Sequence, residues 1–226
     1  MRKGLDPQVG RAGMDTANTA PFHTLDPIRG DLIEAVLEAN EVPESTDAWS
    51  EVIGLDPERI ERLGSDASVT CRSDVGMDDA TLTFLLGLER RDDGTRLEVA
   101  DDKHTERFGR FPSGDGSLLT YLQTWMRPTR GMEAAYEDIM GLIDKLAMGI
   151  DQDHPSASEG TGGLRLHGWL DAGEIKDLRV GLMGRGWTVA GDEALDGGLR
   201  DAVKHLAAML RGAERRGVGL LHRSHA

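Results

Sequence analysis

Hydrophobic positions at helical spacing run through residues 28–66, and turn residues interrupt them twice. Each apolar stripe is preceded by a residue that can accept a hydrogen bond from the first turn of a helix. Pro57 falls at a first helical position, where its missing N–H leaves no bond unmade. The pattern predicts three short helices. Their predicted start, cap and stop residues are, in chain order, Asp31, Asn40, Ser45 or Thr46, Gly54, Asp56 and Gly64.

After residue 66 the pattern changes to short β-rich stretches. The sequence Asp92-Asp93-Gly94 is typical of a hairpin turn, because Asp-Gly readily adopts the positive φ angles that such turns need. A small antiparallel sheet, built as a β-meander, is therefore predicted in this region. Its strands are expected at 67–72, 82–90 and 96–100. The apolar residues from Leu82 to Leu88 are too continuous for strict alternation, so this stretch is either a central strand or partly helical.

Two further helical stripes follow, over about 118–126 and 132–149. Residues 151–163 then combine Pro155 with glycines, Ser/Thr and acidic residues, which is typical of a linker. The Gly160-Thr-Gly-Gly163 run in this stretch lacks the lysine of a phosphate loop, and it precedes a strand instead of a helix. We therefore predict a linker here without a phosphate site.

The last 60 residues show the clearest pattern. Asp171 and Glu174 form a capping-box sequence that starts a helix, which ends at Gly184. The order strand, helix, strand, helix, strand is predicted, and the final strand is expected to lie beside 164–167. The strands are predicted at 164–169, 187–189 and 218–223, and the second helix spans Leu195 to Ala213.

These elements predict an α+β protein in four parts. Residues 1–27 are rich in Gly, Pro, Asp, Asn and Thr and lack an apolar period, so a disordered arm is expected. An acidic region of helices, meander and helices follows at 28–150, then the linker at 151–163 and the C-terminal α+β unit at 164–226.

The composition indicates which large side chains pack in the core and in which cellular compartment the protein is expected. Only 4% of residues are aromatic, so the four tryptophans are expected to be packing centres. The single cysteine, Cys71, excludes an intramolecular disulfide and favours a reducing compartment. Because the sequence shows neither a signal peptide nor an apolar run of membrane-spanning length, a cytoplasmic protein is predicted.

The excess of acidic over basic residues is concentrated in the first 162 residues. Residues 1–162 carry 16 Lys+Arg against 32 Asp+Glu, whereas residues 163–226 carry 10 against 8. A surface this negative repels nucleic acids and anionic membranes and attracts cationic partners. A basic protein partner is therefore predicted, while nucleic acid and membrane binding are disfavoured.

One motif works against that prediction. Apolar residues fall at Trp49, Ile53 and Ile60, with the turn glycine at Gly54. Residues 46–63 thereby resemble the helix-turn-helix of phage-repressor-like regulators, whose second helix enters the DNA major groove. The resemblance implies a transcriptional regulator, but residues 26–66 hold 3 basic against 12 acidic groups.

Other candidate chemistry is sparse. Four histidines lie near the C-terminus, yet they lack the spacing of a metal motif, and we predict no metal ligands, cofactor or catalytic residues. His167 beside Asp171 is a weak base-and-orienter pair, because no nucleophile can be placed near it. The C-terminal histidines are His167, His205, His222 and His225.

The sequence thus favours a non-enzymatic acidic interaction protein, such as an immunity or inhibitor protein that binds a basic partner. The alternatives are the helix-turn-helix regulator and, more weakly, a metal-dependent hydrolase. The oligomeric state and the identity of the partner stay open. The candidate interaction residues are Trp49, Glu58, Arg59, Arg62, Asp92, Asp93, Asp101 and Asp102.

Overall fold

A computed structural model describes residues 22–63, 69–95, 97–98, 107–109, 111 and 113–225. The helices are α1 (Gly30–Glu41), α2 (Thr46–Leu55), α3 (Pro57–Arg62), α4 (Asp79–Gly87), α5 (Leu118–Trp125), α6 (Glu133–Asp153), α7 (Ala172–Met183) and α8 (Gly198–Arg216). The strands are β1 (Phe22–Ile28), β2 (Arg107–Gly109), β3 (Met126–Pro128), β4 (Leu164–Leu170), β5 (Trp187–Val189) and β6 (Gly219–His225). The predicted α+β class is confirmed.

The main sheet is antiparallel and runs in the order β2–β1–β6–β4, while β3 and β5 form a separate pair. Alternate side chains of the main sheet enter two apolar layers. Leu25, Leu170 and Leu220 pack with α5 to α8 on one face. Leu166 and Leu221 pack on the other face with residues of α1 and α4. The sheet is therefore covered on both sides.

Local capping signals placed the helices correctly. Ser45 and Asp56 accept hydrogen bonds from the first turns of α2 and α3. Asp171 and Glu174 form the reciprocal capping box of α7. In the C-terminal unit, β6 pairs antiparallel with β4, as predicted for the last strand.

The predicted disordered arm requires a correction at its end. Residues 1–21 lie outside the described residues, but residues 22–27 belong to β1, which pairs with β2 and β6. The buried carboxylate of this strand is paired with an arginine from the far end of the chain. Buried Asp26 accepts hydrogen bonds from Thr24 and, at 2.7 Å, from Arg223. The composition of residues 22–27 therefore predicted disorder where the chain forms a largely buried strand.

The stretch at 82–90, predicted as either a central strand or partly helical, lies mostly in helix α4, so the strand alternative is wrong. Asp78 caps that helix by accepting a hydrogen bond from the Thr81 amide. The predicted turn at 92–94 is present, with the Arg91 amide donating to the Thr95 carbonyl. The predicted strands at 67–72 and 96–100 fall largely outside the described residues.

The predicted linker at 151–163 is ordered and packed. Helix α6 continues to Asp153, and two short 3₁₀ turns follow. The Thr161 hydroxyl donates to Asp78 at 2.6 Å, which ties the glycine-containing turn to the start of α4. The stretch is therefore part of the fold.

Candidate metal centre

Three histidines from three strands meet on one face of the main sheet. His23 lies on β1, His167 on β4 and His222 on β6, and one ring nitrogen of each lies within 4.8 Å of the others. His23 and His222 are almost fully buried, and the side chain of His167 is 14% exposed. The centroids of neighbouring rings are 4.5 to 5.8 Å apart.

Strand register explains why the rings meet. His23 is opposite Ser224, and Leu25 is opposite His222, so these side chains share one face of the sheet. The ladder between β4 and β6 slips between Leu166 and Gly168, which leaves His167 as an extra residue. Such a bulge re-aims one side chain, and here it directs His167 towards Ser224.

Gly168 lets α6 approach this bulge closely. A Cβ at this position would overlap the carbonyl oxygens of Lys145 and Leu146, which belong to the backbone of α6. The close crossing brings Asp151, in the last turn of α6, against His167. The bulge and the glycine together assemble a histidine–carboxylate contact that sequence spacing does not reveal.

The hydrogen bonds of the cluster form two groups. His167 Nδ1 lies 3.2 Å from Asp151 Oδ2, and His167 Nε2 lies 2.8 Å from Ser224 Oγ. His23 Nδ1 lies 3.0 Å from His222 Nε2. His167 is thus satisfied at both ring nitrogens, while the other two rings share a single bond.

The bond between His23 and His222 uses one nitrogen of each ring and leaves His23 Nε2 and His222 Nδ1 for other partners. Whichever ring donates, one N–H and one lone pair remain. The backbone carbonyls of Asp115, beside His23, and of Leu146, beside His222, act as acceptors that raise the pKa of these rings, but neither contact has the geometry of a full hydrogen bond. A carbonyl can satisfy only an N–H, so the remaining buried lone pair stays unsatisfied at a cost of about 1–3 kcal/mol.

Burial lowers the pKa of all three histidines below 6.5, the usual value of the side chain. For His222 the shift is large, and the neighbouring His167 and His23 lower its pKa further. The Asp151 carboxylate opposes the shift at His167 without cancelling it. The rings are therefore neutral at pH 7, which is the state that binds metal ions.

This arrangement matches the needs of a zinc ion. Two imidazole nitrogens on tetrahedral zinc are about 3.3 Å apart, given bonds of about 2.0 Å, and the His23–His222 nitrogen separation is 3.0 Å. Three histidines leave a fourth position for solvent, as in catalytic zinc sites. A carboxylate on the outer nitrogen of a ligand histidine, as at His167, is also a recurrent feature of such sites.

The Ser224–His167–Asp151 contacts resemble the order of nucleophile, base and orienter in serine hydrolases. Ser224, however, is 2% exposed and lies in β6, between β1 and β4. Its strand is paired on both sides, so its backbone amide is not free to bind an oxyanion. The contacts therefore fit the positioning of His167 better than nucleophilic attack.

The sequence identified only part of this cluster. The sequence makes His167 and His222 possible ligands that lack the spacing of a metal motif, and it places His23 in the predicted disordered arm. His205 lies on α8, and exposed His225 ends β6; neither belongs to the cluster. Asp171 caps α7 instead of orienting His167, and Asp151 takes that place.

The predicted interaction residues are not brought together at this centre. Trp49 is fully buried, as expected of a packing centre, so it is not available for direct contact with a partner. Exposed Glu58 and Arg62 pair with each other at 3.3 Å. Asp92 and Asp93 lie in the exposed turn after Arg91, and Asp101 and Asp102 lie outside the described residues.

The helix-turn-helix-like segment has two basic residues, Arg59 and Arg62, and the first of them is turned inward. Arg59 donates hydrogen bonds to the carbonyls of Leu86 and Leu88 and pairs with Asp56. Only Asp56 separates α2 from α3, and α3 has six residues. Arg59 therefore stabilises the packing of α3 against α4 and does not project towards a DNA groove.

Comparisons with known proteins supply no further guide. No protein-family model, curated protein or solved structure matches the chain. Among the described helices, none has the length and apolarity needed to cross a bilayer. The functional argument therefore depends on the residues of the cluster.

Proposed function

We propose that the protein binds one divalent transition-metal ion, with zinc the best match, through His23, His167 and His222, and that the ion serves hydrolytic chemistry. The observation that carries the proposal is the convergence of three imidazoles, two buried and one partly buried, with their ligand nitrogens within 4.8 Å of one another. Imidazole suits zinc, copper, iron and nickel, whereas calcium and magnesium prefer oxygen ligands. The metal-dependent hydrolase was the weakest alternative from the sequence, and the cluster now favours it.

Calorimetric titration with zinc tests the proposal. Chelator-treated protein at pH 7.5 is expected to take up one zinc ion per chain. The affinity is expected to fall only as the pH is lowered below 6.5, because the lowered pKa of each ring delays the competition of protons for the ring nitrogens. The absence of saturable uptake at pH 7.5 would contradict the proposal.

The same preparation tests the hydrolytic role. An open fourth position lowers the pKa of bound water to about 7 and supplies a nucleophile. Zinc-loaded protein is therefore expected to hydrolyse a neutral nitrophenyl ester at least about tenfold faster than the metal-free protein. Binding that raises the melting temperature without hydrolysis would instead assign a structural ion.

A second proposal concerns the acidic surface. More acidic than basic residues of the segment from α1 to α3 face solvent. Arg59 does not offset this negative charge at the surface, since its side chain is turned inward. We propose that this surface contributes to binding a basic partner protein, the function that the sequence favoured. The exposed acidic residues are Asp31, Glu34, Glu38, Glu41, Glu44, Asp47, Glu51, Glu58 and Glu61.

Salt dependence tests this surface. A basic protein captured by the chain should associate about tenfold more slowly when salt rises from 50 to 500 mM, by charge screening. Neutralising Glu34, Glu38 and Glu51 should slow association as well, whereas neutralising the exposed Glu133, Glu137 and Asp138 of α6 is the matched control. Equal effects of the two triple variants would contradict a role for α1 to α3.

A further inference from the structure

The contacts of His167 with Asp151 and Ser224 indicate a role for each of these two neighbours, and this inference rests on the metal centre proposed above. We propose that Asp151 is the positioning residue that prepares His167 for the ion. We propose in the same way that Ser224 competes with the ion for the nitrogen of His167 that binds it. The two neighbours of one ring thereby tune the affinity of the centre in opposite directions.

Asp151 fixes which nitrogen of His167 carries the proton. Its Oδ2 lies 3.2 Å from Nδ1, and a carboxylate can only accept a hydrogen bond. The proton of the neutral ring is therefore held on Nδ1, and the lone pair is left on Nε2. A metal ion needs that lone pair, so the contact with Asp151 prepares the ligand before the ion arrives.

Ser224 holds the same lone pair in the metal-free protein. Its Oγ lies 2.8 Å from His167 Nε2. With the ring proton held on Nδ1, Nε2 can only accept, so the Ser224 hydroxyl group is the donor in this contact. Ser224 is buried and opposite His23 in the sheet, so its side chain faces the cluster. An ion that binds Nε2 must break this hydrogen bond, which lowers the apparent affinity.

This assignment and a purely structural role predict different directions of change in zinc affinity. If Asp151 and Ser224 merely supported the fold around His167, removing either side chain would weaken zinc binding. Under our assignment, Asp151→Asn weakens binding, because the amide can donate to Nδ1 and favour the other tautomer. Ser224→Ala strengthens binding, because the competing hydroxyl group is gone.

Zinc titration of the full-length variants against a competing chelator at pH 7.5 measures both effects. Asp151→Asn is expected to lower the affinity about 10- to 100-fold, the usual effect of losing an outer partner of a ligand histidine. Ser224→Ala is expected to raise it about threefold to tenfold, the worth of one hydrogen bond. Arg165→Gln is the matched control, because it removes the 3.4 Å contact to Asp151 Oδ1 and the charge of Arg165 but keeps both hydrogen bonds of His167.

Nitrogen-15 NMR of the metal-free protein provides a readout that does not depend on zinc. His167 should show the Nδ1–H tautomer in the wild type and in Arg165→Gln, and a shift towards the Nε2–H tautomer in Asp151→Asn. A purely structural role of Asp151 would leave the tautomer unchanged.

The outcomes separate the two proposals. If wild-type protein binds zinc and either Ser224→Ala weakens binding or Asp151→Asn leaves it unchanged, the assignment of these residues is overturned while the metal centre stands. If wild-type protein takes up no zinc, the metal centre fails and the assignment fails with it.

Discussion

The His222→Ala variant is expected to bind zinc more than about 100-fold more weakly than the wild type, since losing an outer partner alone costs 10- to 100-fold. His222 is the most buried member of the cluster, and its Nε2 lies 3.0 Å from His23 Nδ1. Removing its ring takes away one of three ligands and leaves two, which is too few for a tight zinc site. Calorimetry against a competing chelator measures the change.

Two further variants make this result interpretable. His167→Ala removes a ring that is less buried, so it should lose zinc binding with a smaller disturbance of the core. His154→Ala is the matched control, because His154 lies after the end of α6 and outside the cluster. Zinc affinity within threefold of the wild type in His222→Ala or His167→Ala would remove the histidine centre.

Arg72→Ala is expected to lower the free energy of unfolding by about 3–5 kcal/mol, as measured by urea denaturation. The Arg72 side chain is 6% exposed, and it bonds to Asp79 at 2.6 Å, to Asn40 at 2.8 Å and to two backbone carbonyls. Truncation leaves one buried and three partly buried acceptors without their donor, and an unpaired buried group costs more free energy than a hydrogen bond contributes on balance. Since domains are stable by about 5–15 kcal/mol, the variant should be close to unfolding.

Arg62→Ala is the control for Arg72. Arg62 also pairs with a carboxylate, that of Glu58 at 3.3 Å, but both side chains are largely exposed. Exposed ion pairs are worth about 0–1 kcal/mol, so this variant should keep nearly full stability. A loss below 1 kcal/mol in Arg72→Ala would show that α1 and α4 are not held together by this arginine.

The parts of the fold that depend on neighbouring residues could be predicted. The capping box of α7 and the caps of α2 and α3 follow from residues three positions apart, so the sequence contains the whole signal. Strand β1 could not be predicted in the same way. Its buried Asp26 pairs with Arg223, which lies 197 residues away in the sequence.

Helix α4 shows a second limit of pattern reading. Its apolar run from Leu82 to Leu88 lacks a clear period, because Leu82 and Leu86 pack into one cluster while Ala80 and Phe84 pack into another. A helix that is buried on two sides has a continuous apolar sequence, as a central strand does, so this pattern does not distinguish the two. The local signal that distinguishes them was Asp78, which caps the helix.

The candidate centre was missed for a related reason. Its three histidines come from β1, β4 and β6, and they meet only through strand register and the bulge at His167. Asp151 reaches the centre because α6 crosses close to Gly168. Strand pairing over such distances leaves no spacing motif in the sequence, so a search for metal motifs cannot find this site.

X-ray absorption spectroscopy of the zinc-loaded protein tests the central claim most directly, because it reports the ligands themselves. The expected spectrum shows one ion per chain with about three imidazole nitrogens at about 2.0 Å and one further light atom. A first shell without imidazole scattering, or zinc bound equally well by a chain that lacks all three histidines, would contradict the account.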